Sequence, residues 1–123
     1  MDQAIFTIPY QNTLIQLKKS VPEATIIVGH MGGPRFLDLL TAAYDYAETS
    51  VTLPMIVDLF GISFAARFIR RIGIDRVIFG SDWSGTVNSI VNQLSLIQKM
   101  SLTREEKEKI LGENIRKVLE AQS

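Results

Sequence analysis

The chain alternates short apolar runs with longer segments in which apolar residues recur every three to four positions. The runs at residues 25–28 and 77–79 are rich in β-branched and aromatic side chains, which is typical of strands buried on both faces. Helical spacing predicts helices over residues 10–20 and 54–72, the second with a break at Gly61. Strands that alternate with helices in this way indicate parallel βα units and an α/β fold.

The segment that is expected to end at Gly73 has the clearest two-sided pattern. Apolar residues fall on one arc of its second half, and arginines fall on the opposite arc at a step of about 100° per residue. The arginines could form a basic patch, but a solvated helix face is the simpler interpretation. The apolar set is Phe64, Ala65, Phe68, Ile69 and Ile72, and the arginines are Arg67, Arg70 and Arg71.

The middle of the chain allows two interpretations. Pro34 fits the first position of a short helix that ends near Ala43. Residues 46–51 could form a short strand, or the helical propensity of residues 42–45 could extend a helix into them. The apolar face predicted for the short helix consists of Phe36, Leu39 and Leu40.

Two further helical segments are predicted after a loop at residues 83–86. The first is a helix that packs on the sheet, and the second is a helical pair that starts at a capping box, Thr103 followed by Glu106. The apolar positions of the first helix are Val87, Ile90, Val91, Leu94 and Ile97. Those expected to face inward in the pair are Ile110, Leu111, Ile115, Val118 and Leu119.

Composition and charge narrow the class of protein. A chain of 123 residues is expected to form one domain, residues 1–123, and to bury roughly two-thirds of its unfolded surface. With 46% hydrophobic and 21% charged residues it is typical of globular rather than disordered chains. Thirteen basic residues balance thirteen acidic ones, so the charge gives no support for a nucleic-acid partner.

The sequence also bears on redox chemistry and location. There is no cysteine, which excludes disulfides and thiolate metal ligands. The N-terminus carries an acid and lacks the long apolar core of a signal peptide. The apolar stretch at residues 53–66 contains Asp58 and is too short to span a bilayer. We therefore expect a cytoplasmic protein with no membrane partner.

Two polar side chains follow the predicted strands, where barrel and open α/β folds place their chemistry. His30, the single histidine, follows the first strand, and Asp82 follows the strand at residues 77–79. Both residue types can bind a metal or move a proton. By position alone Asp82 could equally cap a turn, and a lone histidine is more often hydrogen-bonded near a core. Trp83, Ser81, Glu48 and Thr49 are further candidates, for a pocket wall or for support of the two polar residues.

Three stretches resemble consecutive signatures of one family. Residues 29–34 read Gly-His-Met-Gly-Gly-Pro, residues 75–83 read Asp-Arg-Val-Ile-Phe-Gly-Ser-Asp-Trp, and residues 110–114 read Ile-Leu-Gly-Glu-Asn. Their order resembles that of the amidohydrolase-related, metal-dependent hydrolases, which have a (β/α)8 barrel. The resemblance runs from about Tyr10 to the C-terminus and implies that the chain holds about strands six to eight of such a barrel.

The resemblance also implies roles for the polar residues. Asp82 corresponds to the acid of the eighth strand, which is a metal ligand and handles the proton of the nucleophilic water. His30 corresponds to the histidine of the sixth strand, which polarises the substrate or acts as an acid or base, and which can be a ligand in two-metal members. The implied cofactor is a divalent metal, with zinc as the expectation, and the implied partner is a small-molecule substrate whose pocket includes Trp83.

The chain departs from the family pattern in length and in ligands. A complete barrel needs about 250 residues, and the histidine pair of the first strand and the ligands of the fourth and fifth strands have no counterpart here. Catalytic zinc usually takes three protein ligands, whereas His30 and Asp82 supply two. We therefore expect a C-terminal fragment, a partial (β/α)8 TIM barrel that is incomplete as an enzyme by itself.

Three hypotheses remain at this point. The chain is part of an enzyme that hydrolyses or decarboxylates a small carboxylated or cyclic substrate, a non-catalytic remnant that oligomerises as a structural module, or an unrelated α/β binding domain. In the first two cases, unpaired strand edges and an uncovered barrel interior predict association. The partner would be a second copy of the chain or the missing N-terminal half-barrel.

Overall fold

A computed structural model describes residues 10–50, 52–82 and 90–122. Within these residues three short strands form a parallel sheet in the order β1-β2-β3. They are β1 (Ile27–Val28), β2 (Tyr46–Glu48) and β3 (Val77–Ile78). The predicted α/β class is confirmed, and for Tyr46–Glu48 the strand interpretation is the correct one.

Helices make up most of the described chain, and most of their predicted boundaries hold. The short helix that was predicted from Pro34 to near Ala43 is wrong, because this segment forms 3₁₀ turns that end at Leu40. A break at Gly61, where φ is 93°, separates two helices, and the second ends at Gly73, whose amide donates to the carbonyl of Ile69 at 2.9 Å. The helices are α1 (Tyr10–Ser20), α2 (Thr52–Phe60), α3 (Ile62–Ile72), α4 (Ile90–Lys99), α5 (Arg104–Glu108) and α6 (Asn114–Gln122), with 3₁₀ turns within Gly29–Leu40 and at Ile74–Arg76 and a π turn at Lys109–Glu113. In the described part of the chain, no helix has the length and apolar composition that crossing a membrane requires.

The two faces of the sheet differ in how far they are covered. The strand register aligns Val28, Ala47 and Val77, which are at most 2% exposed because they join the main apolar cluster. On the opposite face Ile78 is buried, but Ile27 is 43% exposed. The prediction that residues 25–28 are buried on both faces is therefore wrong. Within the described residues β1 is an edge strand, and its outer side has no neighbouring strand.

Four phenylalanine rings pack α2 and α3 against the segment that follows β1. Phe68 meets Phe36 edge-on, with ring centroids 5.2 Å apart, and lies parallel to Phe64 at 6.4 Å. Phe60 contacts both Phe36 and Phe64. The buried arc of α3 carries Phe68 as predicted, and the three arginines on its opposite side are exposed. One of them, Arg70, forms an ion pair with Glu106 at 2.8 Å.

Charged side chains join the sheet to its surroundings at the amino ends of the strands. Lys18 Nζ lies 2.9 Å from Oδ2 of Asp45, and the same oxygen accepts the Ile26 amide at 2.7 Å. Arg76 donates to the Tyr44 carbonyl at 2.7 Å and lies over the Tyr44 ring. Burial acts to raise the pKa of Asp45, but the bonds from Ile26 and Lys18 and the charge of Arg76 outweigh it and hold that pKa below its usual value.

The C-terminal part is one continuous helix rather than the predicted pair. The capping box of Thr103 and Glu106 starts α5 as expected. At Lys109 and Asn114, where the π turn joins α5 and α6, the backbone keeps right-handed helical angles. The Asn114 amide bonds to the Lys109 carbonyl five residues earlier, while the Ile110 carbonyl accepts the Phe79 amide at 2.9 Å. The π turn thus coincides with a direct bond from this helix to the chain just after β3.

Asn114 makes the second connection between this helix and β3. Its side chain is 1% exposed, and its amide nitrogen donates to the carbonyls of Ile74 at 2.7 Å and Val77 at 2.8 Å. These carbonyls lie in the turn before β3 and at the start of the strand. The third sequence signature, residues 110–114, therefore holds β3 in place.

Four positions that were predicted to lie in the core are exposed. The exposed fractions are 46% for Leu40, 43% for Ile90, 76% for Val91 and 63% for Leu119. The buried line of α4 instead runs through Gln93 and Ile97. In the C-terminal helix the buried line follows Ile110, Asn114 and Val118, at intervals of four residues. In each helix the buried line includes a polar residue, Gln93 in α4 and Asn114 in α6, where the apolar pattern predicted neighbouring apolar residues instead.

Candidate functional site

The chain segments that follow the three strands meet at the carboxyl edge of the sheet. His30 comes two residues after β1, Ser50 two residues after β2, and Asp82 four residues after β3. The amino ends are joined by the Lys18–Asp45 pair described above. The carboxyl edge is where parallel α/β folds place binding and catalytic side chains, so the candidate site lies there.

His30 and Asp82 are brought together at this edge. Nε2 of His30 lies 3.7 Å from Oδ2 of Asp82. The histidine side chain is 50% exposed and the aspartate side chain 56%, so a cation or a substrate can reach both. The alternative of a histidine hydrogen-bonded within the core does not fit this exposure. The catalytic and metal-binding roles of the two residues remain predictions.

The backbone at this edge is held in an uncommon conformation. Among the described residues, those other than glycine with positive φ are His30 (57°), Met31 (47°), Ser50 (36°) and Asp82 (46°), and all lie after a strand at this edge. A left-handed conformation costs about 1–2 kcal/mol for a residue with a side chain. Such residues persist only where their surroundings hold them, and they cluster at functional sites. The clustering points to this edge independently of the side-chain chemistry.

Glu48, the last residue of β2, contacts all three of these segments. Its Oε2 accepts the backbone N–H of His30 at 2.9 Å, and its Oε1 accepts the hydroxyl of Ser50. Gly80, after β3, packs so closely that a β-carbon there would overlap the carboxylate. The Glu48 carboxylate thus lies between the segments that carry His30 and Asp82.

Two further side chains hold the segment that leads from β3 to Asp82. The buried hydroxyl of Thr49 accepts the Gly80 amide at 3.1 Å and lies 3.2 Å from the Gly80 carbonyl, to which it donates. Gln93, on α4, donates from Nε2 to the Ser81 carbonyl at 2.8 Å. This segment is therefore fixed by the residue that follows β2 and by a side chain from α4.

The other residues that the sequence suggested for the site have separate outcomes in the structure. Trp83, expected in a substrate pocket, lies outside the described residues. Ser81 contributes its carbonyl to the bond from Gln93. Glu48 was only a minor candidate from the sequence. It lies at the end of a strand, and His30 and Asp82 also follow strands, so this shared position could have identified Glu48 as a stronger candidate. Gln93 carries no such signal, because its partner is twelve residues away in a different element.

The donor set fits part of a metal centre. Imidazole and carboxylate are ligands that zinc and related divalent ions accept, and two ligands of one tetrahedral ion lie roughly 3.4 Å apart. The 3.7 Å between His30 Nε2 and Asp82 Oδ2 is close to that value. Within residues 10–50, 52–82 and 90–122, however, no three histidine, aspartate or glutamate side chains are placed to hold an ion. His30 and Asp82 therefore fit as two ligands of a centre that needs more.

The described residues form a parallel βα segment with an imidazole and a carboxylate close together after its strands. The chain belongs to the amidohydrolase family, because the model of that family, described as amidohydrolase, matches residues 7–121. The resemblance drawn from the three sequence signatures is thereby confirmed. No curated protein matches the chain.

Three solved structures share the fold. Two are of 2,6-dihydroxybenzoate decarboxylase, one complexed with 2,6-dihydroxybenzoate (21% identity, TM-score 0.56) and one from Rhizobium (20%, 0.56). Each similarity covers 87% of this chain and 38% of the other. The third is a dihydroxybenzoic acid decarboxylase from Polaromonas sp. JS666 with bound manganese and the inhibitor 2-nitroresorcinol. It shows 19% identity and a TM-score of 0.57, and the similarity covers 89% of this chain and 37% of the other. The chain thus spans less than half of these proteins, and at such identities the similarity shows the fold alone.

Proposed function

We propose that the chain is the C-terminal portion of an amidohydrolase-family (β/α)8 barrel, with β1, β2 and β3 as its sixth, seventh and eighth strands. In this proposal His30 and Asp82 contribute to a divalent metal centre whose other ligands lie in sequence outside this chain. The observation that carries the proposal is the 3.7 Å approach of the two side chains at the carboxyl edge of the sheet. The family match supports it, as does the coverage of 38% of the decarboxylase chain.

The reaction proposed for the complete enzyme is metal-assisted hydrolysis or decarboxylation of a small carboxylated or cyclic substrate. When bound, the cation supplies Lewis-acid polarisation of a substrate oxygen or activates water. Asp82 would help to hold the cation and accept a proton, and the imidazole of His30 would donate or accept one. The dihydroxybenzoate decarboxylases among the structural relatives favour decarboxylation, and the manganese in one of them makes Mn²⁺ a candidate beside zinc.

The proposal predicts that Mn²⁺ binds next to His30 and that Asp82→Asn weakens this binding at least tenfold. Asparagine keeps the shape of the side chain but loses the charge that attracts the cation. The chain has one histidine, so the imidazole signals in a ¹H–¹³C NMR spectrum belong to His30 alone. Paramagnetic broadening of these signals during an Mn²⁺ titration measures binding at this position.

The matched control is Asp58→Asn, which removes an exposed carboxylate on α2. We expect Asp58→Asn to titrate like the unchanged chain, with melting temperatures nearly equal for all three proteins. His30 signals that stay sharp up to millimolar Mn²⁺ would overturn the prediction that His30 and Asp82 bind the cation within this chain. Equal broadening in Asp82→Asn would show that Asp82 is not a ligand.

We also predict that the chain associates at tens of micromolar. Parallel sheets are normally covered on both faces, whereas β1 lies at an edge and presents Ile27, which is 43% exposed. In the complete enzyme the free edge of β1 and the exposed Ile27 would be covered by the N-terminal part of the barrel. In their absence we expect a second copy of the chain to cover it, so that sedimentation equilibrium gives a mass of a dimer or larger assembly.

Two lysine substitutions locate the associating surface. Ile27→Lys places a charge on the open side of the sheet and is expected to shift the chain toward monomer. Leu59→Lys changes an equally apolar residue, 66% exposed on α2, and is expected to leave the mass unchanged. A monodisperse monomer of the unchanged chain would contradict the prediction, and dissociation by Leu59→Lys alone would assign the contact to the helices.

A further inference from the structure

We propose that Glu48 is the positioning residue of this site and that its carboxylate sets the place of His30 opposite Asp82. The inference rests on the proposed function in that it takes His30 and Asp82 as the reactive pair. Both oxygens of Glu48 are already engaged within the protein, because they accept bonds from the His30 N–H and the Ser50 hydroxyl.

The contact to His30 acts on the backbone and therefore on the direction of the side chain. The N–H of His30 donates to Glu48 Oε2 at 2.9 Å, and a hydrogen bond to an ionised acceptor is about twice as strong as one between neutral groups. His30 and Met31 are both left-handed, which L-residues rarely adopt in succession. The Met31 side chain is fully buried. The turn is thus held on one side by the buried methionine and on the other by the Glu48 carboxylate.

The contact to Gly80 connects the same carboxylate to the segment that carries Asp82. A β-carbon on Gly80 would overlap the carboxylate oxygen that accepts the Ser50 hydroxyl. Glycine at this position therefore allows Glu48 to lie between the segments that follow β1 and β3. Thr49, the residue after Glu48, bonds to both the N–H and the carbonyl of Gly80. The backbone that packs against the Glu48 carboxylate is therefore held in place.

The charge of the Glu48 carboxylate strengthens its bond to His30. Oε2 accepts from His30 and Oε1 accepts from Ser50, so both oxygens act as acceptors. In a glutamine side chain the amide oxygen can accept from His30 while the NH₂ group donates to the Ser50 hydroxyl, because a hydroxyl accepts as well as donates. Glu48→Gln therefore preserves the size and the bonding pattern but removes the charge that strengthens the bond from the His30 N–H.

The test compares Glu48→Gln and Gly80→Ala with the control Glu23→Gln in the complete chain. Glu23 is an exposed glutamate before β1, at the other end of that strand. Gly80→Ala leaves Glu48 unchanged and displaces its carboxylate. The two readouts are the hydrogen-exchange rate of the His30 backbone amide and the Mn²⁺ concentration that half-broadens the His30 imidazole signals.

We expect Glu48→Gln and Gly80→Ala to accelerate exchange at the His30 amide at least tenfold, while the amides of Ala47 and Ile69 keep their rates. Mn²⁺ affinity at His30 is expected to fall about 10–100-fold, the range found when a residue that orients a ligand is removed. Glu23→Gln is expected to match the unchanged chain in both readouts. A merely structural role would accelerate exchange throughout the sheet and lower the melting temperature.

The two proposals fail in different ways. If Mn²⁺ leaves His30 unaffected in the unchanged chain, the prediction of metal binding by this chain fails, and the exchange rate of the His30 amide still tests Glu48. If that rate is the same in Glu48→Gln and in the unchanged chain, Glu48 does not position His30, whatever the metal result. Local acceleration of exchange with undiminished Mn²⁺ affinity would also overturn the positioning role.

Discussion

Replacing Asn114 with alanine is expected to lower the free energy of unfolding by about 2–4 kcal/mol. The side chain is 1% exposed and donates to the carbonyls of Ile74 and Val77 at 2.7 and 2.8 Å. Without it both carbonyls lose a donor where water has little access, and each such loss costs about 1–3 kcal/mol. Thermal unfolding followed by circular dichroism should show a drop in Tm on the order of 10 °C.

Two further variants separate the lost hydrogen bonds from the lost volume. Asn114→Asp keeps the shape but turns an acceptor oxygen toward the two carbonyls, so we expect a loss at least as large as in Asn114→Ala. Asn12→Ala, on the exposed side of α1, is expected to change stability by less than about 0.5 kcal/mol. A change as small for Asn114→Ala would mean that these bonds do not stabilise the fold.

Replacing Phe68 with alanine is expected to lower the free energy of unfolding by about 3–5 kcal/mol. The ring is 5% exposed and packs edge-on against Phe36 at 5.2 Å, so truncation removes buried apolar surface and leaves a cavity between α3 and the segment after β1. Urea unfolding followed by circular dichroism measures the effect as a lower midpoint with an unchanged slope.

Phe60 provides the matched control for this substitution. Its ring belongs to the same cluster but is 52% exposed, with centroid distances of 6.0 Å to Phe36 and 4.9 Å to Phe64. Since about half of its surface already meets water, we expect Phe60→Ala to lower stability by about 1 kcal/mol. Equal losses for Phe60→Ala and Phe68→Ala would show that burial in this cluster does not determine stability.

These two residues differ in how far sequence could identify them. Phe68 lies on the apolar arc of α3, and a local period of about 100° per residue was sufficient to place it in the core. Asn114 is polar, and its partners are 40 and 37 residues away. The apolar pattern of the last helix pointed to Leu119, which is exposed, because that pattern contains no information about the carbonyls the helix must satisfy.

The residues of the candidate site also differ in how far the sequence could identify them. His30 and Asp82 were recognisable because each follows an apolar strand and lies within a family signature. Glu48 was only one of several candidates for a supporting role, because that role depends on His30 and Gly80, which are 18 and 32 residues away along the chain. The left-handed backbone at His30, Met31, Ser50 and Asp82 likewise appears only in three dimensions.

By itself the sequence determined the α/β class, the helix boundaries at Gly61 and Gly73, the capping box and the family, since all of these depend on spacing and residue type over a few turns of chain. The tertiary structure decided that Tyr46–Glu48 pairs as the central strand, that β1 is a half-open edge, and that one carboxylate connects the segments carrying His30 and Asp82. These features depend on contacts between residues distant in sequence, where sheet pairing and burial outweigh local propensity.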